Sequence, residues 1–164
     1  MPERETIERA HHDAAQGKSP STQAGEFVRE EIHHVREGKH GARSTKQAIA
    51  IALSKARRSG VKLRASKTSS ARTRAQAKRD LAKGKRPKRK PSRTRSRAVE
   101  GALRREGSRA ATRKSLRRQA HASARRRSAS ARSASAKQAA RTKGARARSA
   151  AAKKAARTRA RNAR

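Results

Sequence analysis

Residues 44–56 read STKQAIAIALSKA and carry the clearest helix signal in the chain. Ser44 and Gln47 have the spacing of a capping box, in which the serine accepts a hydrogen bond from the first turn and the glutamine reaches back. Behind this cap, apolar residues recur at the spacing of one buried helix face: Ala48, Ile49, Ala52, Leu53 and Ala56. Gly60 is a typical stop signal. The stretch therefore predicts a helix over residues 45–59.

A second helix is predicted just upstream, over residues 22–37. Its start signal is the run 19–22, and Gly38 ends it. One face is apolar and consists of Ala24, Phe27 or Val28, Ile32 and Val35. Glu26, Glu30 and Glu31 are expected to face outward. The connection over residues 38–43 lets this face pack against the third helix in an antiparallel hairpin.

A first helix is predicted over residues 3–16. Pro2 suits a first helical turn, and Glu3 and Glu5 complement the helix dipole. A thin apolar stripe is formed by Ile7, Ala10 and Ala14, and Gly17 follows as the stop. The predicted fold class is all-α, with these three helices forming a small domain over residues 1–64.

The distribution of large apolar residues sets the limits of that domain. Ten of them lie at or before position 63, whereas only Leu81, Val99, Leu103 and Leu116 follow. Few bulky apolar groups combined with high net charge are typical of disorder. We therefore expect residues 65–164 to be a low-complexity basic tail that is mostly disordered, with helix forming on binding as a hypothesis. A core this small also suggests a homodimer or a protein partner for the N-terminal helices.

Charge divides the chain in the same way. Through Glu37 there are eight acidic and five basic residues, and from Gly38 onward there are 44 basic residues and three acidic ones. Such a tail attracts polyanions, so the sequence predicts binding to nucleic acid through phosphate neutralisation, without sequence preference. Duplex DNA is favoured over RNA because Phe27 is the only aromatic residue besides histidine, and most readers of single strands use aromatic stacking.

The predicted contact residues are the densest basic clusters and the basic end of the third helix. They are Lys55, Arg57, Arg58, Lys85, Arg86, Lys88, Arg89, Lys90, Arg125, Arg126, Arg127, Lys153 and Lys154.

Catalytic and metal chemistry are not predicted. The chain has no cysteine, no phosphate-binding glycine loop and no nucleophile elbow, so we expect no enzyme and no cofactor. Two Glu-x-x-His patterns, at 8–11 and 31–34, have a spacing used in di-iron bundles, but they flank the apolar stripes, and surface charge pairing is the preferred interpretation. No apolar run is long enough for a membrane span, and the acidic N-terminus is unlike a secretory signal, so a cytoplasmic protein is expected.

Two stretches resemble a known family. Residues 19–31, SPSTQAGEFVREE, and 37–51, EGKHGARSTKQAIAI, are similar to a bacterial family of short basic proteins whose domain function is uncharacterised. The resemblance covers about residues 1–64 and implies a bacterial cytoplasmic protein. The tail resembles the Lys/Ala/Arg-rich tails of linker histones and bacterial histone-like proteins, which implies a nucleoid-associated, architectural role.

Two alternative functions remain open at this stage. One is an RNA- or ribosome-associated basic protein. The other is an adaptor whose acidic N-terminal helices bind a protein partner while the tail localises it.

Overall fold

The computed structural model describes residues 2–86 and 92–162, with the backbone alone at 142 and 143. Every regular element in these ranges is helical, which confirms the all-α class. The α-helices are α1 (Arg4–Ala15), α2 (Pro20–Arg36), α3 (Thr45–Arg58), α4 (Ala71–Gly84), α5 (Arg93–Arg104), α6 (Arg113–Arg125) and α7 (Ala129–Asn162), and a 3₁₀ helix spans Ser108–Ala111. The three helices predicted near the N-terminus lie within two residues of α1, α2 and α3.

Local capping explains these bounds. Ser19 and Ser44 cap α2 and α3, and their side chains accept hydrogen bonds from the backbone nitrogens of Thr22 and Gln47. The Gln47 side chain reaches back to the backbone nitrogen of Arg43, one residue earlier than a standard capping box. Gly17, Gly38 and Gly60 follow the first three helices with positive φ, so they end these helices as predicted.

Two apolar clusters form the core between α2 and α3. In the first, Ala24 and Phe27 from the start of α2 pack on Ala52 and Ala56 from the end of α3. In the second, Ile32 and Val35 from the end of α2 pack on Ala48 from the start of α3. This order makes α2 and α3 antiparallel, as the hairpin prediction expected. Alanine supplies the α3 side of both clusters, so the two helices can pack closely.

Contacts from the predicted tail complete this core. Ala110 and Ala111 of the 3₁₀ helix are buried in the second cluster, with Leu116 packed beside them. The Thr45 hydroxyl donates to the Ala110 carbonyl over 2.6 Å, and Arg36 Nε donates to the Ala111 carbonyl over 2.9 Å. The compact unit therefore runs to Gln119, not to residue 64, and residues 120–164 form a second unit.

The loop before α3 also depends on this later segment. The backbone nitrogens of Gly41 and Ala42 donate to the carbonyls of Leu103 and Gly107. A Cβ built on Gly41 would overlap the backbone of Glu106, so only glycine permits this approach.

The prediction of a mostly disordered tail is wrong for the described residues, which form α4 to α7. In α4, the reason is tertiary, because Asp80 anchors the helix to α3. In α7, described side chains are exposed apart from three half-buried residues, and Gly144 breaks the helix with φ 67° and ψ 166°. Helix there rests on the intrinsic preference of alanine, arginine and lysine, which outweighs the charge repulsion on which the prediction of disorder relied.

Candidate nucleic-acid interface

The basic end of α3 is largely engaged within the protein. Lys55 Nζ lies 2.6 Å from Glu31 Oε2, and Arg57 is buried, with Nε donating to the Leu63 carbonyl over 2.9 Å. Arg58 Nε donates to Asp80 Oδ1 over 2.9 Å, although half of its side chain remains exposed. Of these three predicted contact residues, only Arg58 therefore presents substantial surface to a ligand.

Asp80 explains why Arg58 is held. Its side chain is 1% exposed and also accepts hydrogen bonds from Ser54 and Gln76. Burial alone would raise the Asp80 pKa, but the hydrogen bonds from Ser54 and Arg58 and the charge of Arg58 outweigh it, so the pKa is lowered. In the sequence, Asp80 stands out only as a rare acid in a basic region. No local pattern marks it as an anchor, because its partners on α3 lie more than 20 residues away.

The basic block after α4 is only partly described. Lys85 and Arg86 follow the helix directly and are exposed. Lys88, Arg89 and Lys90 lie outside the described residues. Lys85 and Arg86 are thus accessible to a ligand, and their contact with phosphate stays a prediction.

The remaining predicted residues lie in the second unit. Arg125 ends α6, Arg126 and Arg127 lead to α7, and all three are exposed. The Arg127 guanidinium contacts the Ala131 carbonyl and the Ser135 hydroxyl of α7. Lys153 and Lys154 are exposed on α7, and as consecutive helical residues they project about 100° apart around the axis. These cations are not gathered into one pocket or groove.

An exposed basic face on α6 was not predicted from the sequence. Arg113 and Arg117 are one helical turn apart, as are Lys114 and Arg118, and all four side chains are exposed. Ranking cations by local density selects continuous basic runs and passes over residues spaced along a helix. The spacing of four residues between these cations is the sequence pattern that would have predicted this face.

Acidic residues pair with the cations of the N-terminal helices. Glu26 binds Arg9 and Arg29, and Asp13 binds Lys18. The prediction that Glu30 and Glu31 face outward is wrong, because they are 5% and 0% exposed. Helical spacing cannot show that Lys55 of α3 meets Glu31.

Two exposed carboxylates, those of Glu3 and Glu37, form ion pairs with Lys39. Hydrogen bonds from His34 and Lys39 lower the Glu3 pKa, and a hydrogen bond from Lys39 lowers the Glu37 pKa. The same two carboxylates raise the Lys39 pKa.

Few cations of the later region have such a partner. Among the described side chains of residues 38–86, 92–141 and 144–162, the lysines and arginines in ion pairs are Lys39, Lys55, Arg58 and Arg104. Residues 120–164 contain fifteen lysines and arginines and no aspartate or glutamate. Side-chain carboxylates of the second unit itself therefore cannot neutralise its cations.

Across the described part of the chain, none of the helices combines the length and apolar character needed to cross a bilayer. Comparison with protein-family models, with curated proteins and with solved structures gave no match for this chain. The family resemblance of residues 1–64, the resemblance of the tail and the architectural role that the tail implies thus stay predictions.

Proposed function

We propose that this protein binds nucleic acid without sequence preference, with duplex DNA as the preferred target, and acts as an architectural protein of a bacterial nucleoid. The observation that carries the proposal is the surplus of exposed cations among the described side chains of residues 120–162, in a unit whose sequence contains no aspartate or glutamate. This surplus includes Arg125, Arg126, Lys153 and Lys154. Each phosphate contact releases condensed counterions, so the surplus is a source of binding free energy.

The arrangement of these cations supports contact with the backbone of a duplex rather than with its bases. Sequence-specific readers place a few side chains on base edges, usually from one helix face in the major groove. The cations of α7 instead point in several directions around the helix, and α6 separately carries an exposed face of four cations. Phosphates carry no sequence information, so such contacts bind unrelated sequences equally.

The adaptor alternative has less support. It requires acidic groups that are available to a partner, but Glu26, Glu30 and Glu31 of α2 are engaged within the fold, which leaves this role to the exposed Glu5 and Glu8 of α1. The RNA alternative differs from the main proposal only in the target, and the experiment below separates the two.

The test is a salt titration of the full chain, freed of copurifying nucleic acid, against two unrelated duplexes and one structured RNA. If six or more phosphates are contacted, log K should fall by at least about 5 per decade of salt on each duplex. We expect the duplexes to bind within about twofold of each other, and the RNA to bind more weakly. A slope shallower than about 2, or strong preference for one duplex, would contradict the proposal. Tighter binding to RNA would favour the RNA alternative.

A further inference from the structure

Glu31, His34 and His40 lie together where α2 ends and the chain turns toward α3. Glu31 and His34 are one turn apart on α2, and His40 follows the helix stop at Gly38. One ligand atom from each residue lies within 4.8 Å of the other two. The sequence pairs Glu31 with His34 but does not predict a site here, because the third residue comes from a loop that helical spacing does not include.

The Glu31 carboxylate is only half satisfied. Its side chain is fully buried, and Oε2 accepts a hydrogen bond from Lys55. Oε1 is also buried but has no hydrogen-bond partner, and His40 Nε2 lies 3.4 Å away without forming one. A buried polar atom left unsatisfied costs about 1–3 kcal/mol, and more when it is charged. This oxygen is therefore an unused ligand that lies beside His40, in a cluster that also includes His34.

Both histidines are oriented from outside the cluster. His40 Nδ1 is 3.1 Å from the Gly41 carbonyl, which can only accept, so Nδ1 carries the proton and a neutral ring has its lone pair on Nε2. His34 Nε2 is 2.8 Å from Glu3 Oε1, and the same reasoning leaves the lone pair of a neutral ring on Nδ1. Metal-binding histidines are typically held in this way, by a carbonyl or carboxylate on the other ring nitrogen.

We propose that Glu31, His34 and His40 form a binding site for a divalent transition-metal ion, with Zn²⁺ as the first candidate. Two imidazoles and one carboxylate suit Zn²⁺, which leaves a further coordination position for water. The ion would supply the missing partner of Glu31 Oε1. It would also join α2 to the loop that carries His40.

The distances and charges around the cluster are compatible with a bound Zn²⁺ if the three side chains move slightly closer together. Ligand atoms around a tetrahedral Zn²⁺ are about 3.4 Å apart, so the side chains must close by up to about 1.4 Å on binding. Lys55 opposes a cation because it lies against the other Glu31 oxygen. Glu30 lies 3.9 Å from His34 Nε2 and offsets this charge, whereas Glu3, at 2.8 Å from the same nitrogen, is itself paired with Lys39.

The test is a titration of the full chain, stripped of metal with a chelator, with Zn²⁺ by calorimetry and with Co²⁺ by visible absorption. We expect saturation at one equivalent and a Co²⁺ spectrum typical of a site with fewer than six ligands. His40→Gln should lower Zn²⁺ affinity by at least about tenfold, since loss of a partner outside the ligand set alone costs 10–100-fold. His34→Gln should do the same.

His33→Gln is the matched control, because His33 lies beside His34 on α2 but is 65% exposed and pairs with Glu37. It should leave Zn²⁺ affinity unchanged. Zn²⁺ should also raise the unfolding temperature of the parent and control proteins but not of His40→Gln. The proposal is overturned if binding does not saturate near one equivalent, or if His33→Gln weakens it as much as His40→Gln.

Discussion

The helices α1 to α3 and residues 120–164 use charge in opposite ways. In the first region, most carboxylates lie beside a cationic side chain, and even the buried Glu31 has Lys55 beside it. In the second, fifteen cations have no carboxylate among them. The difference shows that the few acidic residues lie mostly where helices pack against each other. The cations of helices that lack such packing have no carboxylate partner in their own unit.

Apolar packing also differs between α1 to α3 and residues 120–164. The α2–α3 interface buries Phe27, Val35 and a row of alanines, while described residues of α7 include no buried side chain. Stability of α1 to α3 should therefore respond to single substitutions, and that of residues 120–164 should not. Three substitutions, each with an exposed control, test whether stability follows burial in this way, in order of expected effect.

The largest effect on stability is expected from Phe27→Ala. Phe27 is 1% exposed in the first apolar cluster, and truncation of a buried phenylalanine typically costs about 3–5 kcal/mol. Urea unfolding followed by the amide NMR signals of α2 and α3 would measure the loss. The control is Val99→Ala, at a side chain that is 60% exposed, and it should change stability by less than about 0.5 kcal/mol. Similar losses in both variants would contradict the dependence of stability on side-chain burial.

Asp80→Ala should have an intermediate effect, about 1–3 kcal/mol, because it removes the acceptor for Ser54 and Arg58. Arg58 is half exposed and can be solvated, so the loss should fall below that of a fully buried ion pair. The matched control is Glu100→Gln, which breaks the exposed pair with Arg104 and should cost little. An equal loss in the two variants would show that Asp80 does not anchor α4.

The pH dependence of stability gives a second readout of Asp80. Its folded-state pKa is lowered, so its contribution is fully present above the ordinary aspartate value of about 4 and is lost as pH falls through the folded-state pKa. Acid should therefore destabilise the parent protein more than Asp80→Ala over this window. Parallel curves would contradict the assignment.

The smallest of the three effects is expected for Ser44→Ala, about 1 kcal/mol, because it removes the side-chain cap of α3. Ser92→Ala is the matched control, since Ser92 precedes α5 but makes no capping hydrogen bond. The same NMR-detected urea titration applies. If Ser92→Ala costs as much as Ser44→Ala, the capping hydrogen bond is not the source of the loss.

These elements also show which features of the fold can be predicted from the sequence. The bounds of α1 to α3 were predictable because caps and stop glycines act within a few residues, as Ser44 and Gly38 illustrate. The burial of Glu31, the anchor at Asp80 and the packing of Ala110 were not, since each depends on a partner distant in sequence. Helix in α7 was missed because charge repulsion and helix propensity oppose each other there.

In the candidate nucleic-acid interface, too, some features could be predicted from the sequence and others could not. Exposure of Arg125 and Lys154 was predictable, because a segment without bulky apolar groups has little core in which to bury them. The partners of Lys55 and Arg57 were not, because local density of charge does not reveal a carboxylate or a carbonyl supplied by another element.

The central claim is that unmatched cations of the second unit, rather than total charge, provide the binding free energy. The most direct measurement is the salt dependence of duplex DNA binding by two full-length triple variants that lose the same charge. Arg125→Gln, Arg126→Gln and Arg127→Gln together should lower the slope by up to about 2.7, at about 0.9 for each phosphate that is no longer neutralised. Arg9→Gln, Lys18→Gln and Arg29→Gln, at cations that pair with Glu5, Glu26 or Asp13, should leave the slope nearly unchanged. Equal changes in the two variants, or no change in the first, would contradict the account.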